Sequence, residues 1–179
     1  MHPQAASLRR RAAAFALDYL LIAAWIAVVV GLGFALRAAA ADLATQLFGN
    51  PITAELVGFL TLTLPVSAYF AISEASTAGG TWGKRRLGVR VVTGEEDRLS
   101  LGRSMARTAL KFVPWELAHA VIWRFAMPGS APELLLDAGL VAVWGLVLAN
   151  LVSALVDENR RTLYDRLSGT VVVEARTAA

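Results

Sequence analysis

Asp18 stands at the edge of a charge-free run of 18 residues, Tyr19 to Leu36. An ionised carboxylate in lipid costs about 2.5–3.5 kcal/mol, so one placed here must be paired, protonated or wetted. Arg11 precedes it by seven residues, on the same helical face and about 10.5 Å down the axis. Two chemistries are open to it. One is an ion pair with a base of the following loop, such as Lys84 or Arg90, which would lock the first helix to that loop. The other is a cation or proton site completed by hydroxyls of the next apolar run, which holds Thr61, Thr63, Ser67 and Tyr69.

Glu116 and His119 form a Glu-x-x-His pair on one helical face. Di-iron bundles use that spacing but need a second such pair and further glutamates, which this chain lacks. No metal site is expected, and His119 is assigned to hydrogen bonding or to proton movement beside Glu116. Asp165, behind Arg160 and Arg161 and ahead of a strand-like run, is expected to cap a turn or to pair with the basic loop. Arg124 and Asp137 flank the Pro128–Pro132 turn and are expected to pair across it.

The stretch from Gly79 to Val92, GGTWGKRRLGVRVV, resembles a phosphate-binding loop only superficially. Gly79 and Gly83 are one residue too close for G-x4-G-K, and Arg85 replaces the required Ser or Thr. Its clustered Lys84, Arg85, Arg86 and Arg90 suit anionic lipid headgroups or simply mark the cytoplasmic side. No cysteine is present, which excludes disulfides, thiolate metal sites and cysteine nucleophiles. A formal charge of only +3, with the bases beside apolar runs, argues for topology rather than nucleic acid.

Composition sets these residues in a membrane protein, since 56% of the chain is hydrophobic. Four helices are expected at about 11–37, 52–74, 104–127 and 133–156, with a cytoplasmic loop at 75–103 and a tail at 157–179. A cleavable signal peptide is the weaker reading of the first, because its apolar region is too long. Arg37 to Asn50 suggests a short amphipathic helix, and Pro65 should kink the second span because it cannot donate to the Thr61 carbonyl. The third helix is the doubtful one, containing Pro114, Glu116, His119 and Arg124. Fifteen of the 17 Lys and Arg residues lie in the amino end, the central loop and the tail. Four crossings keep all of them inside, with both termini cytoplasmic, so four are chosen. Leu87 to Val92, a turn at Thr93 to Glu96, Arg98 to Leu101 and Gly169 to Glu174 should form a hairpin or a small three-stranded element. No internal repeat or low-complexity tract is evident. The fold class is therefore an all-α membrane protein with a small cytoplasmic β element.

Three motifs in order resemble the RDD family of small bacterial membrane proteins. RAAAFALD supplies Arg11 and Asp18, YDRLSGTVVV supplies Asp165, and the middle signature runs from Glu74 to Val92. In that signature Thr81, Gly83, Lys84, Arg85, Gly88 and Arg90 fall on family positions, Trp82 on a variable one, and Arg86 where leucine is frequent. The resemblance implies a bacterial cytoplasmic-membrane protein and suggests transport of ions or small solutes, without a catalytic residue. The expected function is accordingly movement of a cation or small solute, coupled to protons, with Asp18, Glu116 and His119 as candidate ion or proton residues. An accessory or assembly subunit docking a partner membrane protein through the basic loop is the alternative. Neither an enzyme nor a cofactor is expected, and so few helices suggest a homo-oligomer.

Overall fold

The computed structural model describes residues 4–95 and 97–175, and Glu96, the last residue of the expected turn, lies outside them. Helix α1 runs Leu8–Ala39, α2 Ala41–Phe48 and α3 Pro51–Gly58, which passes through a π-helical turn, Phe59–Thr63, into α4, Leu64–Ala75. Short α5, Trp82–Arg86, leads into strand β1, Val89–Thr93. Then follow α6 Leu101–Phe125, α7 Glu133–Val156, short α8 Leu163–Leu167 and strand β2 Thr170–Glu174.

Three helical stretches are long and apolar enough to cross a bilayer: Leu8–Ala39, Pro51–Ala75 and Glu133–Val156. Most of their surface is uncovered by protein, with Phe34 71%, Val141 73% and Leu134 80% exposed, as lipid-facing helices require. The expected fourth span, α6, is one unbroken helix of 25 residues. Arg103, Arg107, Lys111, Glu116 and Arg124 leave it outside the apolar class, so composition marks three spans rather than four.

The chain forms two compact units. The described parts of Met1–Leu21, Ser67–Lys111 and Leu148–Ala179 make the first, and Ile22–Val66 with Phe112–Val147 the second. The first is organised on β1 and β2, which pair antiparallel from Val89↔Glu174 to Thr93↔Thr170. Ala6, Ala14, Val89, Val91, Leu99 and Val172 form its buried core. The expected C-terminal strand is present as β2 and pairs with β1 itself, so a two-stranded sheet stands in place of the expected hairpin or three-stranded element. Arg98 contributes only a single bridge to Val92 because Ser100 caps α6 and turns the chain helical at Leu101.

In the second unit, Asn50 caps α3 by accepting from the Ile52 amide at 2.8 Å, with Pro51 at the first helical position. Pro65 has no N–H to give the Thr61 carbonyl, and the Trp25 indole supplies one at 2.9 Å. The expected disruption is thus a π turn whose freed carbonyl is satisfied by a neighbouring helix. Gly139 permits close packing of α7 on α6, since a Cβ there would lie 2.5 Å from Val121 Cγ2.

Candidate functional site

Asp18 is 1% exposed and lies in the sheet unit. Its Oδ1 accepts from the Tyr69 hydroxyl and the Gly83 amide, each at 2.8 Å, and its Oδ2 from the Thr81 hydroxyl at 2.5 Å. The Tyr69 oxygen in turn accepts from the Trp82 amide at 3.0 Å. Thr81 is the N-cap of α5, so one hydroxyl both starts that helix and holds the carboxylate. The approach demands glycine at position 83: a Cβ there would stand 2.1 Å from the Ala14 carbonyl oxygen and 3.0 Å from Asp18 Cγ. The first helix is therefore locked to the loop, but through neutral donors. The expected ion pair to Lys84 does not form because Lys84 turns to Glu74, and no bond from Arg90 to Asp18 occurs among the described residues.

Beside this cradle runs an alternating chain of charges, Lys84, Glu74, Arg107, Asp165 and Arg11. Glu74 and Asp165 are fully buried and Arg107 is 1% exposed. Arg107 gives Nη1 to Glu74 Oε2 at 2.5 Å and Nη2 to Asp165 Oδ1 at 2.6 Å, while Arg11 reaches Asp165 Oδ2 at 2.7 Å. Arg11 also donates to the Arg160 carbonyl. Removing one member strands its neighbours, which is how a buried network fixes one arrangement of the segments it ties. Burial by itself would raise the pKa of Asp165, but Arg107 and Arg11 outweigh it and hold the carboxyl well below the usual carboxylate range. Burial lowers the pKa of Lys84, and Glu74 opposes that shift.

Asp165 also closes a capping box with Thr162 at the start of α8. The turn cap expected for it is present, but its ionic partners are Arg11 and Arg107 rather than the basic loop. Within that loop, Gly88 adopts φ +62° ahead of β1, where glycine is unstrained. Arg85 and Arg86 are exposed, with the Arg86 guanidinium 5.7 Å over the Trp82 ring. Arg90 lies in β1 with its Nε buried and unbonded.

Glu116 and His119 belong to the second unit. Glu116 accepts from the Thr63 hydroxyl, which also accepts from the Trp115 indole at 3.2 Å. His119 Nδ1 is 3.7 Å from Glu116 Oε1, and its ring packs edge-on against Trp115 with centroids 4.7 Å apart. Thr61 bonds back to the Val57 carbonyl at 2.7 Å, so the two threonines of the span differ in role. Arg124 pairs with Glu55 at 2.8 Å and not with Asp137, because the α3 carboxylate takes the guanidinium first. No group of three metal-ligating side chains occurs among the described residues.

Arg107 and the ionic role of Glu74 escape a reading of the sequence. The available signal is that Arg103, Arg107 and Lys111 recur every fourth residue along one helical face. The family described as RDD family matches residues 5–169, nearly the whole chain. No curated protein and no solved structure matches.

Proposed function

The chain belongs to the RDD family, and from that premise we propose that it moves a cation or small solute across a bacterial cytoplasmic membrane, coupled to protons, with Asp18 as the exchanging carboxylate. The observation that carries this reading is the cradle: a buried carboxylate faces two hydroxyl oxygens, Tyr69 and Thr81. Both hydroxyls can rotate from donating to the anion to ligating a cation bound at it, without any residue leaving its place. Glu116 and His119 supply a second titratable pair on α6. The reading assigns no bond-breaking step and no cofactor, and it implies a homo-oligomer, since so few helices enclose little room.

Four crossings, with both termini cytoplasmic, belong to the same proposal. Each of the four long helices has one end in the sheet unit. If α7 crosses and ends there at Val156, it begins at Glu133 on the far side. Helix α6, which starts in the sheet unit at Leu101, must then cross to reach it despite its charges, with Arg107 buried and Lys111, Glu116 and Arg124 half-buried.

Cation-driven proton flux in proteoliposomes, with Na⁺, K⁺ and Li⁺ tested against Asp18→Asn, decides the matter. Flux present in the parent and lost in a variant that accumulates normally is the expected result, and full flux in the variant would remove Asp18 from the mechanism. The accessory-subunit reading is favoured by one observation, the exposure of Arg85 and Arg86 on the basic loop. It requires that Arg85→Glu with Arg86→Glu release a co-purifying membrane partner, whereas anionic lipid alone would be lost as salt rises.

A further inference from the structure

The two ends of the sheet unit repeat one another. Thr81 and Thr162 each cap a five-residue helix with nearly the same backbone, φ −63° and ψ 170° against φ −68° and ψ 168°. Each accepts from the amide three residues on, Lys84 at 3.4 Å and Asp165 at 3.3 Å. Each helix closes with the same bonds: Leu87 N to Gly83 O and Ser168 N to Tyr164 O at 3.1 Å, then Gly88 N to Arg85 O and Gly169 N to Arg166 O at 3.2 Å. Gly88 and Gly169 follow at φ +62° and +64°, and each opens a five-residue strand. Upstream of the two threonines by the same interval lie Gly79 at φ +62° and Arg160 at φ +55°, the one non-glycine residue with positive φ among those described. That coincidence explains an otherwise anomalous arginine: it occupies a position where the fold wants glycine.

The correspondence extends to the first helices. Ser7 caps α1 by accepting from Arg10 N at 3.2 Å, and Ser100 caps α6 by accepting from Arg103 N at 3.3 Å. From those serines the sequences run in step, Leu8 with Leu101, Ala13 with Ala106, Leu17 with Leu110 and Tyr19 with Phe112. The strand pairing is itself two-fold about Val91↔Val172, since Val89↔Glu174 and Thr93↔Thr170 exchange with one another. Both isolated bridges obey the same operation, Arg98↔Val92 and Ala5↔Val173. So do the bonds outside them: Thr93 N to Asp97 O at 2.9 Å matches Glu174 N to Gln4 O at 3.0 Å, and Gly94 N to Gly169 O matches Ala175 N to Gly88 O.

We infer that the sheet unit is an internal two-fold, built from two copies of one half, the sheet-unit parts of Gln4 to Gly94 and of Asp97 to Ala175, each the binding partner of the other through a self-complementary strand pair. Self-pairing of one patch about a two-fold is the geometry of an isologous dimer, here within one chain. In each half a long helix leaves the unit, a second returns, and a Thr-capped helix and a strand follow. The sequence hides the repeat for two reasons. Helix α2 has only the turn after Phe125 as its counterpart, which shifts the alignment midway. Charges are also reversed at equivalent places, Asp18 against Lys111 and Lys84 against Asp165. The Lys111 ammonium lies 3.3 Å from the centroid of Phe70, the neighbour of the Tyr69 that bonds Asp18, and 5.6 Å from that of Phe15. The counterpart of Asp18 thus reaches into the half that holds Asp18. This inference does not rest on transport.

A circular permutant tests it. Joining Glu174 to Gln4 with Gly-Glu-Glu, the sequence of residues 94–96, and opening the chain between Glu95 and Glu96 starts the protein with the second half. The permutant should accumulate in the membrane and unfold within about 4 °C of the parent. If that linker fails where a long Gly/Ser linker succeeds, the ends are not placed by a two-fold and the inference falls. Should neither permutant insert, disulfides in the otherwise cysteine-free parent decide: Ala5→Cys with Val173→Cys and Arg98→Cys with Val92→Cys should both oxidise, and only one doing so overturns the repeat.

Discussion

Asp165 shows how one side chain can be assigned by sequence and still be misread in its partners. Its place before a strand and after two arginines marks it as a capping residue, and it caps α8. That Arg107 and Arg11 are its ionic partners depends on α6 and α1 meeting at the sheet unit, which no local pattern encodes. Its pH dependence follows from those partners. The folded carboxyl is held below the unfolded value of about 3.9, so the native state takes up this proton less readily than the unfolded chain. Its contribution is therefore complete above about pH 5 and is lost as pH falls through the unfolded value towards the folded one. Thermal unfolding in detergent between pH 7 and pH 3.5 should show that loss in the parent and a shallower one in Asp165→Asn. At pH 7 the variant should already be less stable by about 3–5 kcal/mol, because the buried Arg107 guanidinium loses one of its two carboxylate partners and the half-buried Arg11 loses Asp165. A variant as stable as the parent at pH 7 would show that the network contributes nothing. Asp18 was legible as a buried carboxylate from the charge-free run behind it. Of its neutral donors, the Tyr69 hydroxyl was legible among those of the next apolar run, whereas Thr81 and Gly83, more than sixty residues away in sequence, were not.

Among the elements, the apolar helices were readable because each is an uninterrupted run ended by caps or charges. Both strands were readable as members of one small sheet; what was not is that Val89–Thr93 pairs directly with Thr170–Glu174 while the nearer Arg98–Leu101 run gives only one bridge and enters α6. The break in the second span shows that a single residue can dictate an element once its freed backbone group is followed to a partner. Pro65 leaves the Thr61 carbonyl to Trp25. Trp25→Phe should therefore cost about 1–3 kcal/mol, the penalty for an acceptor left unbonded in the bilayer, away from water. In a Pro65→Ala background the amide at position 65 can supply that bond within the helix, and the same Trp25→Phe change should cost clearly less. A double-mutant cycle on unfolding reads the coupling directly. Equal costs in the two backgrounds would mean that the indole contributes packing alone.

For the whole molecule, composition marks three spans, and the proposed fourth is α6. Under that proposal fifteen of the 17 bases lie on one side, the side of the sheet unit to which one end of each of the four long helices belongs. The chain contains no cysteine, so single cysteines report sidedness without background. With four crossings, Ser130→Cys, in the turn between α6 and α7, should react with an impermeant maleimide from the periplasmic face, as should a cysteine at Asn50 between α2 and α3. Gly94→Cys and Asn159→Cys should stay protected until the membrane is opened. Protection of Ser130→Cys together with labelling of Asn50→Cys would mean that α6 turns back before the far side. The buried charges of α6 would then have to be covered at the near surface, and the relation of the two halves would end with the sheet unit.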